Sequence, residues 1–296
     1  MKWKAILFCL SLCIVLVGCS SEEYPTTYPE SPSQLENEVL WPQSPQTDVL
    51  TDSSLGLVDM SNINQGYVTA KLLDPNAKIK LQISKDDKKY NYDLTSLDFV
   101  AFPLQMGSGI YTIKILSQIE GTKYAVVASC QKEVSIQNEL DVYLYPNQVV
   151  NYDKSSLVYE KSFELTKDDK DDLSRIAHLF QYTVDVLDYD YEKADYVSDT
   201  YVLPDLNQAI ENKSGICFDY ASLLAALCRI QGIPARVIVG WTDIEYHAWV
   251  EIYLDNEGWI NPKIFFKNQS WSLVDPTFYD SSNADYTGKY EEVYHY

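Results

Sequence analysis

Three patterns of hydrophobic and polar positions follow one another along the chain. Residues 20–59 show little apolar periodicity and are rich in Ser, Thr, Pro and Glu. Pro25, Pro29, Pro32, Pro42 and Pro45 punctuate them, which predicts a partly extended tether. Trp41 beside Leu40 could dock on a neighbouring surface, but a solvated linker is the expectation there. Residues 60–150 then read as strands. Tyr67–Leu72, Ile79–Ile83, Tyr111–Ile115 and Tyr124–Cys130 carry strand-like patterns. Asp74-Pro75-Asn76, Lys85–Lys88, Gly107-Ser108-Gly109 and Glu120-Gly121-Thr122 supply the turns between them. Short strands with turns between them predict a small β-sandwich of the immunoglobulin type. Cys130 would share a face with Tyr124, Val126 and Ala128 and be a buried structural thiol.

From Thr166 the period becomes helical. Asp168, Asp169, Asp171 and Asp172 suit the first turn of a helix, and Ile176, Leu179, Phe180 and Val184 follow at helical spacing. A second helix carries Ala221, Leu224, Ala225 and Cys228 on one face, with Leu223 and Leu227 widening the stripe. Gly232 and Pro234 end it. Ala235–Trp241 and His247–Tyr253 read as strands, and Asn256-Glu257-Gly258 as the turn that follows. His247, Trp249, Glu251 and Tyr253 would share one face. Trp271–Thr277 reads as a strand that ends at Pro276.

The first residues stand apart. Lys2 and Lys4 precede an apolar run from Ala5 to Val17, too short for a comfortable membrane span of about 20 residues. A secretory signal fits better. Leu16-Val17-Gly18-Cys19 resembles a bacterial lipobox, which implies cleavage before Cys19 and lipidation of its sulfur. Acyl chains there would hold the protein at a membrane of the cell surface or envelope. The segments expected are a signal peptide at 1–18, a lipidated Cys19 with linker at 19–59, a β-sandwich at 60–150 and an α+β domain at 151–296.

Composition narrows the partners. With 23 basic and 43 acidic residues the formal charge is −20, so nucleic acid is not expected, because phosphate binding needs a basic footprint. Of six cysteines, Cys9 and Cys13 leave with the signal and Cys19 is acylated, so Cys130, Cys217 and Cys228 remain. An odd number in an exported chain implies at least one free thiol. With three histidines and no Cys/His spacing of the zinc type, neither metal nor cofactor is expected. His178 and His295 read as surface or packing residues.

Cys217 falls in the first turn of the second helix, where the dipole and unpaired N–H groups favour a thiolate. Gly215 lets the backbone approach closely before that turn. A histidine within reach takes the thiol proton and returns it to the leaving group. A carboxylate behind the histidine sets its tautomer. His247 and Asp275 on neighbouring strands offer that pair.

Gly215-x-Cys217, the run Ala221–Arg229, Gly232-Ile233-Pro234-Ala235-Arg236, His247-Ala248-Trp249 and Asp275-Pro276-Thr277 resemble the transglutaminase-like superfamily, over roughly residues 165–285. The resemblance implies a papain-like α+β core with Cys217, His247 and Asp275 as the catalytic trio. It also implies acyl transfer through a thioester, by transamidation, deamidation or proteolysis. Protein or peptide amides are the expected substrates. Two alternatives stay open: a non-catalytic binding or scaffold lipoprotein, and an amidase or peptidase of cell-wall peptides. The Cys217 backbone N–H is one oxyanion donor by position, and Tyr201 or Gln208 are candidates for the second. Tyr220, Trp241 and Trp249 are candidates to line the cleft, although core packing explains aromatic residues equally well. Arg236 is expected to pair with a carboxylate such as Asp219. The calcium sites of animal transglutaminases are not recognisable, and Asp168–Asp172 lack an EF-hand pattern.

Overall fold

A computed structural model describes residues 38–52, 54–197, 202–243, 246–255, 257–260 and 289–296, together with the backbone of strands 264–266 and 271–273. Cys19, Tyr201, Asp275 and the signal segment lie outside the described residues.

The first half forms two four-stranded antiparallel sheets. One has the order β1 (Val49–Asp52), β2 (Gly56–Asp59), β3 (Tyr67–Leu72), β6 (Val100–Pro103). The other has the order β5 (Lys88–Leu94), β4 (Ile79–Lys85), β7 (Gly109–Glu120), β8 (Lys123–Val134). Alternation creates the core: Ile79, Leu81 and Ile83 of β4 point inward with Tyr111, Ile113 and Ile115 of β7, while Lys80, Gln82 and Ser84 point out. Residues of both sheets belong to one buried cluster with Val58, Val68, Phe102 and Leu104.

Three details depart from the sequence reading. Residues 49–59, read as the end of the linker, form β1 and β2. Ahead of them Val39 is buried, and the Trp41 ring meets Tyr152 and Tyr159, each at 5.7 Å between centroids. Aromatic burial offsets the entropy of ordering this Pro-rich segment. On β8 the register shifts between Ile115 and Leu116 of its partner, which puts Val126 outward at 53% exposure. The extra residue inverts the alternation. Cys130 stays on the Ala128 side, half-buried against the core of the two sheets, with its sulfur 3.5 Å from that of Met60.

The second half is helical and then stranded. α1 (Leu157–Thr166) already ends where the acidic helix was expected to begin. α2 (Asp172–Val186) starts later, because the Asp171 carboxylate accepts the Ser174 N–H at 2.8 Å and caps it. A two-residue strand β9 (Asp188–Tyr189), α3 (Tyr191–Val197), α4 (Leu206–Asn212) and β10 (Ser214–Gly215) lead to α5 (Cys217–Ile230). Every residue of α5 from Asp219 to Ile230 is buried, so it is a core helix surrounded on all sides rather than a one-face amphipath. Its end is a Schellman turn: Gly232, at φ 74°, donates to the Arg229 carbonyl and Ile233 donates to that of Cys228.

α5 packs against α1 and α2 on one side, and on the other against β11 (Ala235–Thr242) and β12 (Tyr246–Leu254). These belong to an antiparallel sheet with the order β13 (Gly258–Ile260), β12, β11, β16 (Tyr290–His295). β14 (Ile264–Phe266) and β15 (Trp271–Leu273) pair with each other. The architecture is mixed α+β. Among the described residues no helix is long and apolar enough to cross a membrane.

Candidate active site

The start of α5 is built by its neighbours. β9 and β10 pair in parallel, Tyr189 beside Gly215, and Asp190 N–H donates to the Gly215 carbonyl at 2.9 Å. Gly215 sits where a Cβ would fall 2.8 Å from that of Asp219, so a side chain there would displace Asp219. Asp219 is needed in place: its Oδ2 accepts the Ile216 N–H at 2.9 Å, which covers one unpaired donor of the helix start. Ile216 has no side-chain oxygen to answer with, so this is half of a capping box. Cys217 follows as the first residue of α5, half-buried at the edge of the apolar cluster around that helix.

Topology brings His247 to the same end. Arg229 Nε donates to the Ala235 carbonyl at 2.9 Å, which joins the far end of α5 to the start of β11. From there α5 runs back twelve residues to Cys217, about 18 Å at 1.5 Å each. β11 runs back five residues to Gly240, about 17 Å at 3.3 Å each, and Gly240 pairs with His247. Cys217 and His247 therefore stand at one end of the α5–β11–β12 layer. His247 is buried, 2% exposed. Ala248, Val250, Ile252 and Leu254 alternate with it and join the cluster around α5.

The remaining site candidates separate. Tyr220 is fully buried, its hydroxyl donating to the Leu187 carbonyl, and is a packing residue. Trp249 is likewise buried, 4.8 Å from the Tyr290 ring, with an indole Nε1 that meets no hydrogen-bond partner among the described residues. Trp241 is open, an exposed ring 5.0 Å from Tyr246. Gln208 stands exposed on α4. Arg236 binds Glu251 through Nε and Nη2, at 2.9 and 2.6 Å, instead of Asp219. The β11–β12 register sets Arg236 directly opposite Glu251, while Asp219 lies at the other end of α5. Asp219 takes Lys193 of α3 instead, with Nζ at 2.9 and 2.7 Å from its two oxygens. No signal in the sequence marks Lys193.

The thiols differ by burial. Cys228 is fully buried, and desolvation pushes its thiol far above the ordinary range. Burial also raises that of Cys130. Of the other histidines, His178 is exposed beside Asp169, and His295 is a packing residue with Nδ1 2.6 Å from Glu292. A cavity of about 780 Å³ lies elsewhere, between the β4–β5 turn, Tyr143, Arg236, Trp259 and His295. Arg236 pairs with Glu251, toward the end of β12 away from His247, so the cavity does not belong to the Cys217 site. Among the described residues no group of three His, Cys, Asp or Glu side chains is placed to hold a metal.

Residues 160–264 match the family described as the transglutaminase-like superfamily. The chain is similar to the protein-glutamine gamma-glutamyltransferase of Pseudomonas aeruginosa, at 30% identity over 23% of this chain and 10% of that protein. It is also similar to the uncharacterized protein YebA of Bacillus subtilis, at 34% identity over 17% of this chain and 9% of that one. The matched stretch thus spans about a tenth of these relatives. Among solved structures, the periplasmic domain of TgpA from Pseudomonas aeruginosa aligns over 79% of this chain and 99% of its own, at 13% identity and a TM-score of 0.33. Residues 160–264, which hold the helix of Cys217 and the strand of His247, form a domain of the transglutaminase-like superfamily.

Proposed function

We propose that this chain is an exported, lipid-anchored thiol enzyme that acts on protein or peptide amides through a thioester on Cys217. What supports it is the joint placement of Cys217 and His247 at one end of the α5–β11–β12 layer, inside the transglutaminase-like stretch. His247 accepts the thiol proton and the sulfur attacks the amide carbon. The C–N bond breaks, and the amine leaves with the proton that the imidazolium returns. Water or a second amine then attacks the thioester, its proton passes to His247, the C–S bond breaks and the thiol is restored. Asp275 orients the imidazole and balances its charge. The Cys217 N–H at the helix start donates to the oxyanion, with Tyr201 or Gln208 as the second donor. Hydrolysis is the favoured outcome, because water at about 55 M competes with any amine not held in place. Anchoring follows from the lipobox, with Cys19 as the lipidated residue.

The test is to incubate the protein with a library of peptide amides, quench in acid and measure the mass of the Cys217 peptide. An acyl adduct or a cleaved product that disappears in Cys217→Ala supports the enzyme. An added primary amine in the product separates transamidation from cell-wall peptide hydrolysis. Neither adduct nor product from any peptide would leave a binding or scaffold lipoprotein as the reading. Detergent partitioning of Cys19→Ala checks the anchor, and unchanged partitioning would remove it.

A further inference from the structure

The helix start that carries Cys217 also carries a buried negative charge. Asp219 is 1% exposed and two residues from the thiol, with Oδ2 on the Ile216 N–H. Such a carboxylate suits a helix N-terminus, yet it opposes the negative charge that a nucleophilic sulfur must take up. Lys193 Nζ lies 2.7 Å from Oδ2 and 2.9 Å from Oδ1 of Asp219, so the pair is locally neutral.

The placement of Lys193 is itself specified by polar contacts. No residue of α3 is buried, so no apolar face holds that helix down. It is tied at its start instead. Asp188 N–H donates to the Lys213 carbonyl and Asp190 N–H to that of Gly215. Ser214 Oγ donates to Asp190 Oδ2 at 3.1 Å, and Asp190 Oδ1 accepts the Lys193 N–H at 2.8 Å. These links chain α3 to the two residues that precede Ile216 and aim one ammonium at the cap.

Building on the reading of Cys217 as the nucleophile, we infer that Lys193 is a positioning residue for it. Its ammonium cancels the Asp219 carboxylate, so the positive end of the helix faces the sulfur without a competing anion. Among the described residues, the titratable groups on the elements around this end include Asp219 on α5, Asp188, Tyr189, Asp190, Glu192 and Lys193 from the β9–α3 segment, Lys213 before β10, and Tyr246 and His247 on β12. Of these, it is the ammonium of Lys193 that is held on Asp219.

Timed alkylation of the full chain by iodoacetamide between pH 5 and 9, read at each cysteine by mass spectrometry, tests this. Lys193→Met should slow Cys217 about tenfold at pH 6.5 and move its half-maximal rate up by about one pH unit, as expected for an uncompensated charge close by. Lys193→Arg should label within about threefold of the wild type. Lys193→Met with Asp219→Asn should recover likewise, since both charges are gone and the asparagine carbonyl can still accept the Ile216 N–H. Asp219→Asn alone, which keeps the ammonium, should label at least as fast as the wild type. A Lys193→Met protein that melts normally and labels at the wild-type rate overturns the inference. So does a double variant as slow as the single one, which would assign Lys193 to packing. Should Lys193→Met not fold, a slower Asp219→Asn would still overturn it. A wild-type Cys217 that labels no faster than Cys228 would sink the nucleophile reading itself, a separate outcome.

Discussion

Arg229 and Tyr145 join the Cys217 helix to the small cluster of Tyr67 and Ala101: the guanidinium Nη1 donates to the Tyr145 carbonyl at 2.7 Å. Nε and Nη2 of the same group reach the backbone oxygens of Ala235 and Tyr296, each at 2.9 Å. Arg229 is 1% exposed, and burial pushes its pKa down to about 10. One buried cation thus ties the far end of the Cys217 helix to the segment behind the β-sheets and to the last strand. Arg229→Lys keeps the charge but not the planar fork, and should cost about 2–4 kcal/mol through unsatisfied buried carbonyls. A melting temperature lower by about 5–12 °C is the expected reading. An unchanged melting curve would show that water replaces the lost donors.

Asp59 makes a pH-dependent knot at the N-terminal edge of the first sheet. It is 2% exposed, so burial alone would raise its carboxyl. Donation by the Ser61 hydroxyl and N–H, the Ser44 hydroxyl and the Gln46 N–H outweighs burial and holds it below the usual range. A carboxyl that is lower in the folded state contributes stability above its unfolded pKa of about 3.9, and loses it as pH falls through the folded value. Asp59→Asn should therefore be less stable than the wild type at pH 7, by about 1–2 kcal/mol. The two should converge in urea melts as pH falls below the unfolded value and through the lower folded one. A constant difference across that range would assign the cost to shape rather than charge.

Trp41 holds the segment before β1 against α1. Its ring meets Tyr152 and Tyr159, and the Lys154 ammonium lies 5.9 Å from its centroid. Trp41→Ala should expose residues 38–48 to limited proteolysis at least tenfold faster, with a loss of about 2 kcal/mol because the ring is only half-buried. Cleavage at the wild-type rate would mean that β1 alone retains the segment.

Asp275→Asn tests the third member of the proposed trio. Asparagine can still accept from the imidazole but leaves the imidazolium without its counter-charge. The variant should melt like the wild type and lose much of its turnover, though less than Cys217→Ala, because the acid is the least costly member of such a unit to remove. Full turnover would exclude Asp275 from the site.

The amino-acid sequence by itself determined the local events. Strands β3, β4, β7 and β8 were legible because turn residues separate runs of β-formers. The helix of Cys217 was legible from both ends, with Gly215 before it and Gly232 and Pro234 after it. The strand of His247 announced itself through its own motif. Each of these signals acts within a few residues, over distances that the backbone sets regardless of context. Tertiary structure alone decided the pairings. Lys193 stands 26 residues from Asp219 and Tyr145 stands 84 from Arg229, and polar residues carry no sequence label for a partner that far away. Trp41 became a packing residue and Val126 an exposed one for the same reason. Burial belongs to the surfaces that meet, and a single bulge or a neighbouring aromatic ring changes which side of the chain meets them.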